Sequence, residues 1–432
     1  MNFDKVALHV PSILVPNPQI DYTKWSVIAC DQYTSQPEYW REVERIVGSS
    51  PSTLRLILPE AYLGDTADET ALEAIKKTMD IYLADGTLQP IGEGFVLVER
   101  TTSGGSLRRG LMVALDLESY DFSQGSSSLV RATEETVLER LPARVKIRSR
   151  ASVELPHTMV LIDDDAMSVI EPLFGRPLEK IYDFSLMMNG GRVRGYRVTD
   201  DRTITSVARS LEALLETSRR RAGAGGAILY AVGDGNHSLA AAKLFWEEIK
   251  NLPGASGHPA RYALVELVNL HDRGLVFEPI HRVLFNVDPG RVLEALADFF
   301  TGMRCTCTVT GEPPAPTRPQ GGTQLIRYVS GKGRGTIRLE RSPWVLEVAG
   351  LQAFIDAYVK ENPAVRVDYI HGEPALETLS AQEDTMGFML PVISKDLLFA
   401  TIAKDGRLPR KAFSMGHADD KRFYLECRKI VP

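Results

Sequence analysis

ILYAVGDGNHSLAAAKLFWEEIK, residues 228–250, has the pattern of a buried strand that passes through a glycine-containing turn into a helix. The compact apolar run at 227–232 predicts the strand, and the apolar spacing over 238–250 predicts the helix. The first backbone N–H groups of such a helix have no partner within it, and the helix dipole favours an anion near them. The turn GDGNH, residues 233–237, is therefore predicted to hold a phosphate group.

Two interpretations of this turn stay open. In the functional one, the glycines let the backbone approach a ligand, Asp234 orients the loop or a metal ion, and the next two residues offer side-chain donors. In the structural one, the segment is an ordinary strand-to-helix junction and Ser238 is the N-cap of the helix. No GK[ST] follows and no GxGxxG is present, which disfavours a Walker A loop and a dinucleotide-binding fingerprint.

Composition limits the class of protein. A chain of 432 residues exceeds what one hydrophobic core fills, so we expect more than one packed unit. Hydrophobic residues at 44% and charged residues at 25% are typical of globular proteins. The net charge of -6 disfavours nucleic acid and anionic membranes as partners. Four scattered cysteines, the lack of a secretory pattern and the lack of a long apolar run predict a cytoplasmic protein.

Strand and helix patterns alternate along the chain. Helices are predicted at 38–47, 133–140, 203–221 and 288–300, and strands at 94–100, 107–117 and 262–269. The fold class predicted is α/β (α+β), with a mixed-sheet core at 1–290 and a smaller α/β unit at 291–365. Residues 366–432 are predicted to return to the core. A proline- and glycine-rich connector, EPPAPTRPQGG at 312–322, is interpreted as a loop between units or within the smaller unit.

Four motifs together resemble one family. They are ILPE at 57–60, the DGNH turn followed by an alanine-rich helix, LVFEPIHRVL at 275–284 and LPRKAF at 408–413. They resemble the domain-of-unknown-function family numbered 1015, over nearly the entire chain. That family is similar to the ParB/sulfiredoxin-like superfamily, in which a strand-turn-helix motif of the form DG-x-[HT]-R binds nucleotide phosphates. One member of that superfamily is a free-serine kinase that uses ADP.

The resemblance implies a phosphate site and a mixed sheet of ParB/sulfiredoxin-like type. Relatives typically carry arginine where this chain has Ser238, so a bidentate phosphate contact is lost there. Arg282, after His281, is a candidate to supply that cation, and Lys411 matches a lysine of the family's closing motif. The phosphate-binding residues predicted are Gly233, Asp234, Gly235, Asn236, His237, Ser238, His281, Arg282 and Lys411.

Phosphoryl transfer also needs a carboxylate that takes a hydroxyl proton or holds a divalent metal. Asp31 is the first candidate, because its segment IACDQYTSQPEYW, residues 28–40, resembles the family's N-terminal strand that ends in an aspartate before a helix, and Glu60 and Glu134 are the next. Helix capping or a surface ion pair is the alternative for each of them. His157 is interpreted as a structural histidine, and the basic stretch RLPARVKIRSR, residues 140–150, as a solvated face or an anion contact.

Two nucleotide-dependent functions stay open, beside a third interpretation in which the ancestral site has decayed and the chain is a scaffold for protein contacts. The first is a nucleotide- or phosphate-binding phosphotransferase or hydrolase acting on a small molecule, with a nucleoside di- or triphosphate and Mg²⁺ brought by that nucleotide. The alternative is a nucleotide-responsive regulatory or binding protein without catalysis. In both, the partner is a nucleotide or a phosphorylated small molecule, no metal ligand set is predicted from the residues, and assembly into a homo-oligomer is left open.

Overall fold

The computed structural model describes residues 1–62, 69–222, 226–311 and 322–432. Most of the predicted connector, 312–321, lies outside the described residues. The helices are α1 Tyr22–Trp25, α2 Pro37–Val47, α3 Glu69–Ala84, α4 Leu141–Arg150, α5 Asp201–Arg221, α6 Asn236–Ile249, α7 Pro289–Gly302, α8 Glu347–Glu361, α9 Glu373–Ser380 and α10 Lys395–Asp405.

The strands follow the same chain order. They are β1 Asn2–Phe3, β2 Leu8–His9, β3 Ser12–Pro16, β4 Leu88–Glu93, β5 Phe95–Thr101, β6 Leu107–Asp116, β7 Tyr120–Asp121, β8 Val130–Ala132, β9 Val153–Glu154, β10 Met159–Ile162, β11 Glu179–Ser185, β12 Arg192–Val198, β13 Tyr230–Asp234, β14 Tyr262–Asn269, β15 Phe277–Phe285, β16 Thr306–Gly311, β17 Thr323–Ser330, β18 Gly333–Glu340, β19 Arg366–His371, β20 Thr385–Met389, β21 Phe413–Met415 and β22 Cys427–Lys429.

The chain divides into two compact units. The first unit contains Met1–Val276 and Met415–Pro432, and the second contains Phe277–Ser414. These limits differ from the ranges 1–290, 291–365 and 366–432 predicted from the sequence. The difference arises because β15 pairs with β19 and β20, which ties residues on both sides of 291–365 to the second unit.

A mixed sheet forms the centre of the first unit. Its strand order is β11, β12, β5, β6, β14, β10, β13, β8, β7. β10 runs parallel to β14 and antiparallel to β13, while β13 runs parallel to β8. The predicted α/β class with a mixed sheet is therefore confirmed. A smaller sheet of the same unit has the order β4, β3, β22, β9.

Both faces of the large sheet are buried, as side-chain alternation along its strands requires. Leu97 of β5 and Val113 of β6 belong to a core shared with α5 and α6. Val98 and Met112, which point the other way, belong to a core shared with the smaller sheet and α2. This packing places α6 against the sheet directly after β13.

The second unit is built on another sheet. Its strand order is β16, β18, β17, β20, β15, β19. Val283, Val329, Leu376 and Met389 form a buried cluster where α9 covers this sheet. α7 begins at Pro289, and the Asp288 side chain caps it by accepting a hydrogen bond from the amide of Arg291.

Several predicted elements appear at the expected places. β5 and β6 form the predicted antiparallel hairpin, and β14 occupies the predicted residues 262–269. No helix among the described residues is long and apolar enough to cross a membrane.

The helix predicted at 133–140 is wrong. Thr133 donates through its hydroxyl to the carbonyl of Val232, at 2.7 Å, which keeps this segment extended beside β13. A short 3-10 turn at Leu138–Arg140 then leads into α4, which has a proline in its first turn. The basic stretch at 140–150 is thus mainly this helix.

Candidate functional site

The predicted phosphate turn contains a glycine in the left-handed backbone region. β13 ends at Asp234, and Gly235 adopts a φ of +75° before α6 begins at Asn236. A Cβ at Gly235 would lie 2.7 Å from Oγ1 and 2.8 Å from Cα of Thr158. Both the backbone conformation and the available space therefore require glycine.

Gly233 is also surrounded by protein. A Cβ there would lie 2.9 Å from Sδ of Met415 and 3.1 Å from Cδ1 of Leu161. The two glycines thus allow close packing within the first unit. In the functional interpretation of the sequence, they were instead expected to let the backbone approach a ligand.

The first amides of α6 have no acceptor in the part of the chain that the structure describes. Gly235 donates its N–H to Asp234 Oδ1 at 2.9 Å, and Leu239 donates to the carbonyl of Gly235 at 3.1 Å. Between them lie the amides of Asn236, His237 and Ser238, for which the described residues provide no partner, and no side chain caps the helix. The proposal that Ser238 is the N-cap is wrong, because α6 begins two residues earlier.

His237 is neutral at pH 7. The amide of Val137 donates to its Nε2 at 3.1 Å, so the ring proton is on Nδ1. Burial first, and then the charges of Arg144 and Arg140, lower the pKa of His237 to about 4, with Asp31 opposing them. His237 can therefore contribute a neutral Nδ1–H donor, and the positive charge of the site comes from other residues.

Two mostly buried basic side chains lie close to the turn. Arg144 of α4 forms an ion pair with Glu60 and donates to the carbonyl of Arg140 at 2.7 Å. Lys421 places Nζ 3.4 Å from Oδ2 of Asp234. Glu60, one of the predicted catalytic acids, therefore has a cation as its partner. Together with the helix dipole, these charges make the start of α6 favourable for an anion.

Asp31 faces the same region as an ionised carboxylate. Its Oδ2 lies 3.8 Å from Nε2 of His157, and Gln32 donates to its Oδ1 at 3.0 Å. Burial alone would raise the pKa of Asp31, but His157, Gln32 and Lys421 outweigh it and hold that pKa below its usual value. A carboxylate that stays ionised near the turn can accept a proton or a cation.

A hydrogen-bonded chain of side chains continues from the turn into the first unit. Ser238 Oγ lies 3.1 Å from Nε2 of His157, and His157 Nδ1 lies 2.9 Å from the hydroxyl of Tyr424. That hydroxyl donates to Sγ of Cys30 at 3.1 Å and accepts from the amide of Cys30 at 3.2 Å. Burial raises the pKa of the Cys30 thiol to about 12, so it remains protonated.

A cavity of about 160 Å³ opens next to this chain. Its polar lining includes Ser238, His157, Glu60 and Arg144. The rest of its wall is largely apolar and includes Leu56, Met79, Leu155, Leu239, Leu264 and Ile430. A cavity with a few convergent polar groups on an apolar wall is typical of small-molecule sites.

Glu134, the third predicted acid, is half-buried in the segment that runs beside the turn. Thr133 on one side of it bonds to Val232, and Val137 on the other donates to His237. The structure thus brings Asp31, Glu60 and the GDGNH turn together, with Glu134 on a neighbouring segment.

A comparison with family models gives one match. The model described as a protein of unknown function, DUF1015, matches residues 14–366, which is more than half of the chain and includes the turn. The chain belongs to the DUF1015 family. No curated protein matches it.

Solved structures resemble this DUF1015 protein only distantly. A mutant free serine kinase in complex with ADP shares 9% identity and a TM-score of 0.40, over 74% of this chain and 92% of that one. SbnI with a C-terminal truncation, from Staphylococcus aureus, shares 12% identity and a TM-score of 0.35, over 71% and 82%. A conserved hypothetical protein from Pyrococcus furiosus shares 10% and 0.35, over 73% and 90%. Likeness at these TM-scores carries no argument about this chain.

The remaining predicted phosphate ligands of the DUF1015 protein lie in the second unit. Arg282 is fully buried and donates to Oε1 of Gln352 at 3.0 Å and to the carbonyl of Ile280 at 2.6 Å. Nδ1 of His281 accepts from the amide of Leu390 at 3.1 Å. Both side chains thus have structural partners within that unit.

Lys411 shares an aromatic ring with two arginines of the second unit. Its Nζ lies 4.9 Å from the centroid of the Tyr369 ring, and the guanidinium carbons of Arg282 and Arg410 lie 4.7 and 5.6 Å from it. A phosphate-binding role for these residues stays a prediction.

Sequence reasoning missed three members of the first-unit cluster. Cys30, Tyr424 and Lys421 have no local motif around them, and Tyr424 is separated from Cys30 by 394 positions. His157 was interpreted as structural because it is an isolated histidine in the sequence, and its partners Ser238 and Tyr424 are 81 and 267 positions away. Only Arg144 had a signal, namely the basic stretch in which it lies.

Proposed function

We propose that this DUF1015 protein binds a nucleoside di- or triphosphate at the start of α6 and transfers its terminal phosphoryl group to a small molecule. One observation carries the proposal. The amides of Asn236, His237 and Ser238 find no acceptor among the described residues, although they begin a helix of 14 residues. The first amides of a helix have no acceptor within it, and a phosphate oxygen is a natural acceptor for them.

The charges around the turn support an anionic ligand. Arg144 and Lys421 lie close to the turn, where Arg144 pairs with Glu60 and Lys421 lies 3.4 Å from Asp234. The predominantly apolar wall of the neighbouring cavity suits a non-phosphate part of a ligand. Phosphoryl transfer depends mostly on positioning and on charge stabilisation, which donors and cations of this kind supply.

Asp31 is the residue we assign as proton acceptor. It is ionised, because neighbouring donors and cations hold its pKa below the usual value. The acceptor hydroxyl would attack phosphorus, its proton would pass to Asp31, and the bond to the nucleotide's leaving oxygen would break. A general base of this kind contributes about 10²–10⁴-fold to a rate. Glu60 is less suited to the role because Arg144 pairs with it.

A magnesium ion fits this site only as a companion of the nucleotide. In the residues that the structure covers, no group of three or more His, Cys, Asp or Glu side chains is arranged to hold a metal. Mg²⁺ is commonly held by one or two carboxylates and by substrate phosphates, and Asp31 and Asp234 would be those carboxylates. When bound, the ion would neutralise part of the negative charge on the phosphates.

Calorimetric titration tests the binding step. ATP, ADP, CTP, GTP and pyrophosphate are titrated into the full chain, with and without magnesium. Lys421→Met should weaken binding of the preferred ligand by about tenfold or more, since it removes a charge that contacts phosphate-bearing ligands. Lys77→Met, which removes an exposed lysine of α3, is the control of equal charge. Equal affinity of both variants would place the ligand elsewhere.

Transfer is measured separately, with small hydroxy compounds including serine as acceptors. Asp31→Asn should lower the rate of product formation by at least 100-fold while nucleotide affinity stays within about threefold. Asp396→Asn, which changes an exposed aspartate in the second unit, should leave both unchanged. Saturable binding without any product in the wild type would refute the transferase and favour the nucleotide-responsive binding protein.

We also propose a ParB/sulfiredoxin-like type of fold, a cytoplasmic location and assembly into a homo-oligomer. Sedimentation velocity of the full chain would measure the last of these directly.

A further inference from the structure

Ser238 places a nucleophilic hydroxyl at the proposed phosphate position. It is the third residue of α6, and its own amide is one of the three without an acceptor in the described residues. Oγ is three covalent bonds from that amide nitrogen, so a phosphate bound to the amide lies next to Oγ. Ser238 and His157 both line the cavity, which gives a phosphate donor access to the hydroxyl.

Hydrogen bonding determines which nitrogen of His157 can accept a proton. The Tyr424 hydroxyl has one proton, which it donates to Cys30 Sγ, and it accepts the Cys30 amide with one lone pair. With the hydroxyl proton directed at Cys30 Sγ, the other lone pair of the hydroxyl faces His157 Nδ1 at 2.9 Å, and in this arrangement Nδ1 carries the ring proton and donates it. Nε2 therefore presents a lone pair to Ser238 Oγ, at 3.1 Å. A nucleophile next to a base that a third group orients is the arrangement that activates a serine.

The surroundings also stabilise His157 once it is protonated. Asp31 Oδ2 lies 3.8 Å from Nε2, which is the nitrogen that would gain the proton. Both His157 and Tyr424 are buried, so they are held in place by packing as well as by hydrogen bonds. Burial and the neighbouring Cys30 and Asp31 raise the pKa of Tyr424 well above its ordinary value, so its hydroxyl stays protonated within the hydrogen-bonded series of side chains.

We propose that Ser238 is a covalent phosphoryl carrier, activated by His157, in a reaction that rests on the proposed nucleotide binding. Ser238 Oγ forms a bond to the terminal phosphorus, and the bond between that phosphorus and the bridging oxygen breaks. The Oγ proton moves to His157 Nε2, and the electron pair leaves with the nucleoside diphosphate when ATP is the donor. An acceptor hydroxyl or water then attacks the phosphorus of phosphoserine instead of the nucleotide: its proton passes to Asp31, the P–Oγ bond breaks, and Oγ takes its proton back from His157 Nε2.

The position of Ser238 in α6 is compatible with a phosphate on its side chain. A phosphoserine in the first turn of a helix is stabilised by the helix dipole and by unpaired amides. The amides of Asn236 and His237 precede Ser238 and have no acceptor among the described residues, so they can receive the new phosphate oxygens.

Peptide mapping after incubation with γ-³²P-ATP and magnesium tests the carrier. Trypsin cleavage after Arg221 and Lys243 gives a peptide in which Ser238 is the sole serine and no threonine occurs. The peptide should gain an acid-stable phosphate, and a chase with unlabelled ATP and acceptor should remove it. Ser238→Ala should abolish the label, and Ser238→Thr should carry it on threonine.

His157→Gln should slow labelling at least 100-fold while nucleotide affinity stays within about threefold, which a purely structural role would not do. Ser149→Ala, an exposed serine of α4, is the matched control and should label like the wild type.

Three other outcomes would each contradict the proposal that Ser238 carries the phosphoryl group. Nucleotide binding without label on this peptide refutes it and leaves the proposed function standing. Acid-labile label on a histidine or aspartate assigns a different nucleophile. Failure of every nucleotide to bind would remove both proposals together.

Discussion

Replacing Gly235 by alanine should destabilise the first unit by about 2–5 kcal/mol. A residue with a Cβ at a φ of +75° costs about 1–2 kcal/mol. The added Cβ would also lie 2.7 Å from Oγ1 and 2.8 Å from Cα of Thr158, and overpacking of this kind costs about 1–3 kcal/mol. The second contact is with backbone, so rotation of the Thr158 side chain does not relieve it.

Gly125 provides a matched control for the backbone cost. It has the same φ of +75° in the same unit, but a Cβ there would meet nothing within 4 Å. Urea unfolding followed by circular dichroism gives the free energy of unfolding of both variants. Gly235→Ala should lose about 1–3 kcal/mol more than Gly125→Ala. Losses equal within about 0.5 kcal/mol would refute the close contact with Thr158 on which the turn geometry depends.

Two further outcomes can be measured in the same way. Arg422→Met should lower the free energy of unfolding by about 3–5 kcal/mol, because Glu266 and Glu426 would stay buried without this cation. Arg192→Met, at an exposed ion pair, should lower it by less than about 1 kcal/mol. Equal losses in the two variants would contradict this prediction. His237 has a folded pKa of about 4, below the ordinary 6.5, so the unfolded state binds more protons between these values and stability falls as the pH decreases from 6.5 to 4. His237→Gln should therefore have a smaller decrease in melting temperature over this range, and an unchanged decrease would show that His237 is not buried in neutral form.

Local patterns predicted the parts of the fold that depend on local physics. The apolar run before GDGNH and the spacing after it predicted β13 and α6, and a mostly apolar run before a polar break predicted β14 at its full length. The helix predicted at 133–140 was wrong because acidic residues there looked like a first helical turn. In the fold, Thr133 and Val137 form hydrogen bonds to the β13–α6 segment, which is about 100 residues distant.

The candidate site shows the same limit. Asp31 and Glu60 were selected because each lies near the end of a predicted element, and the structure places both beside the cavity or the turn. The partnership of Ser238, His157 and Tyr424 could not be predicted from spacing, since it depends on sheet order that brings β10 next to β13. A lone histidine in sequence has no feature that distinguishes a base from a structural residue.

In the proposed function, the amides at the start of α6 bind a phosphate. Selective ¹⁵N-histidine labelling measures this binding at the amide of one of those residues, His237. The chain has eight histidines, so the spectrum contains few backbone amide signals, and loss of one signal in His237→Gln assigns that residue. Titration with ADP and magnesium should move the His237 amide signal saturably, while those of His9 and His258 stay in place. Saturable binding measured by calorimetry without any movement of the His237 signal would show that the phosphate does not bind at the start of α6.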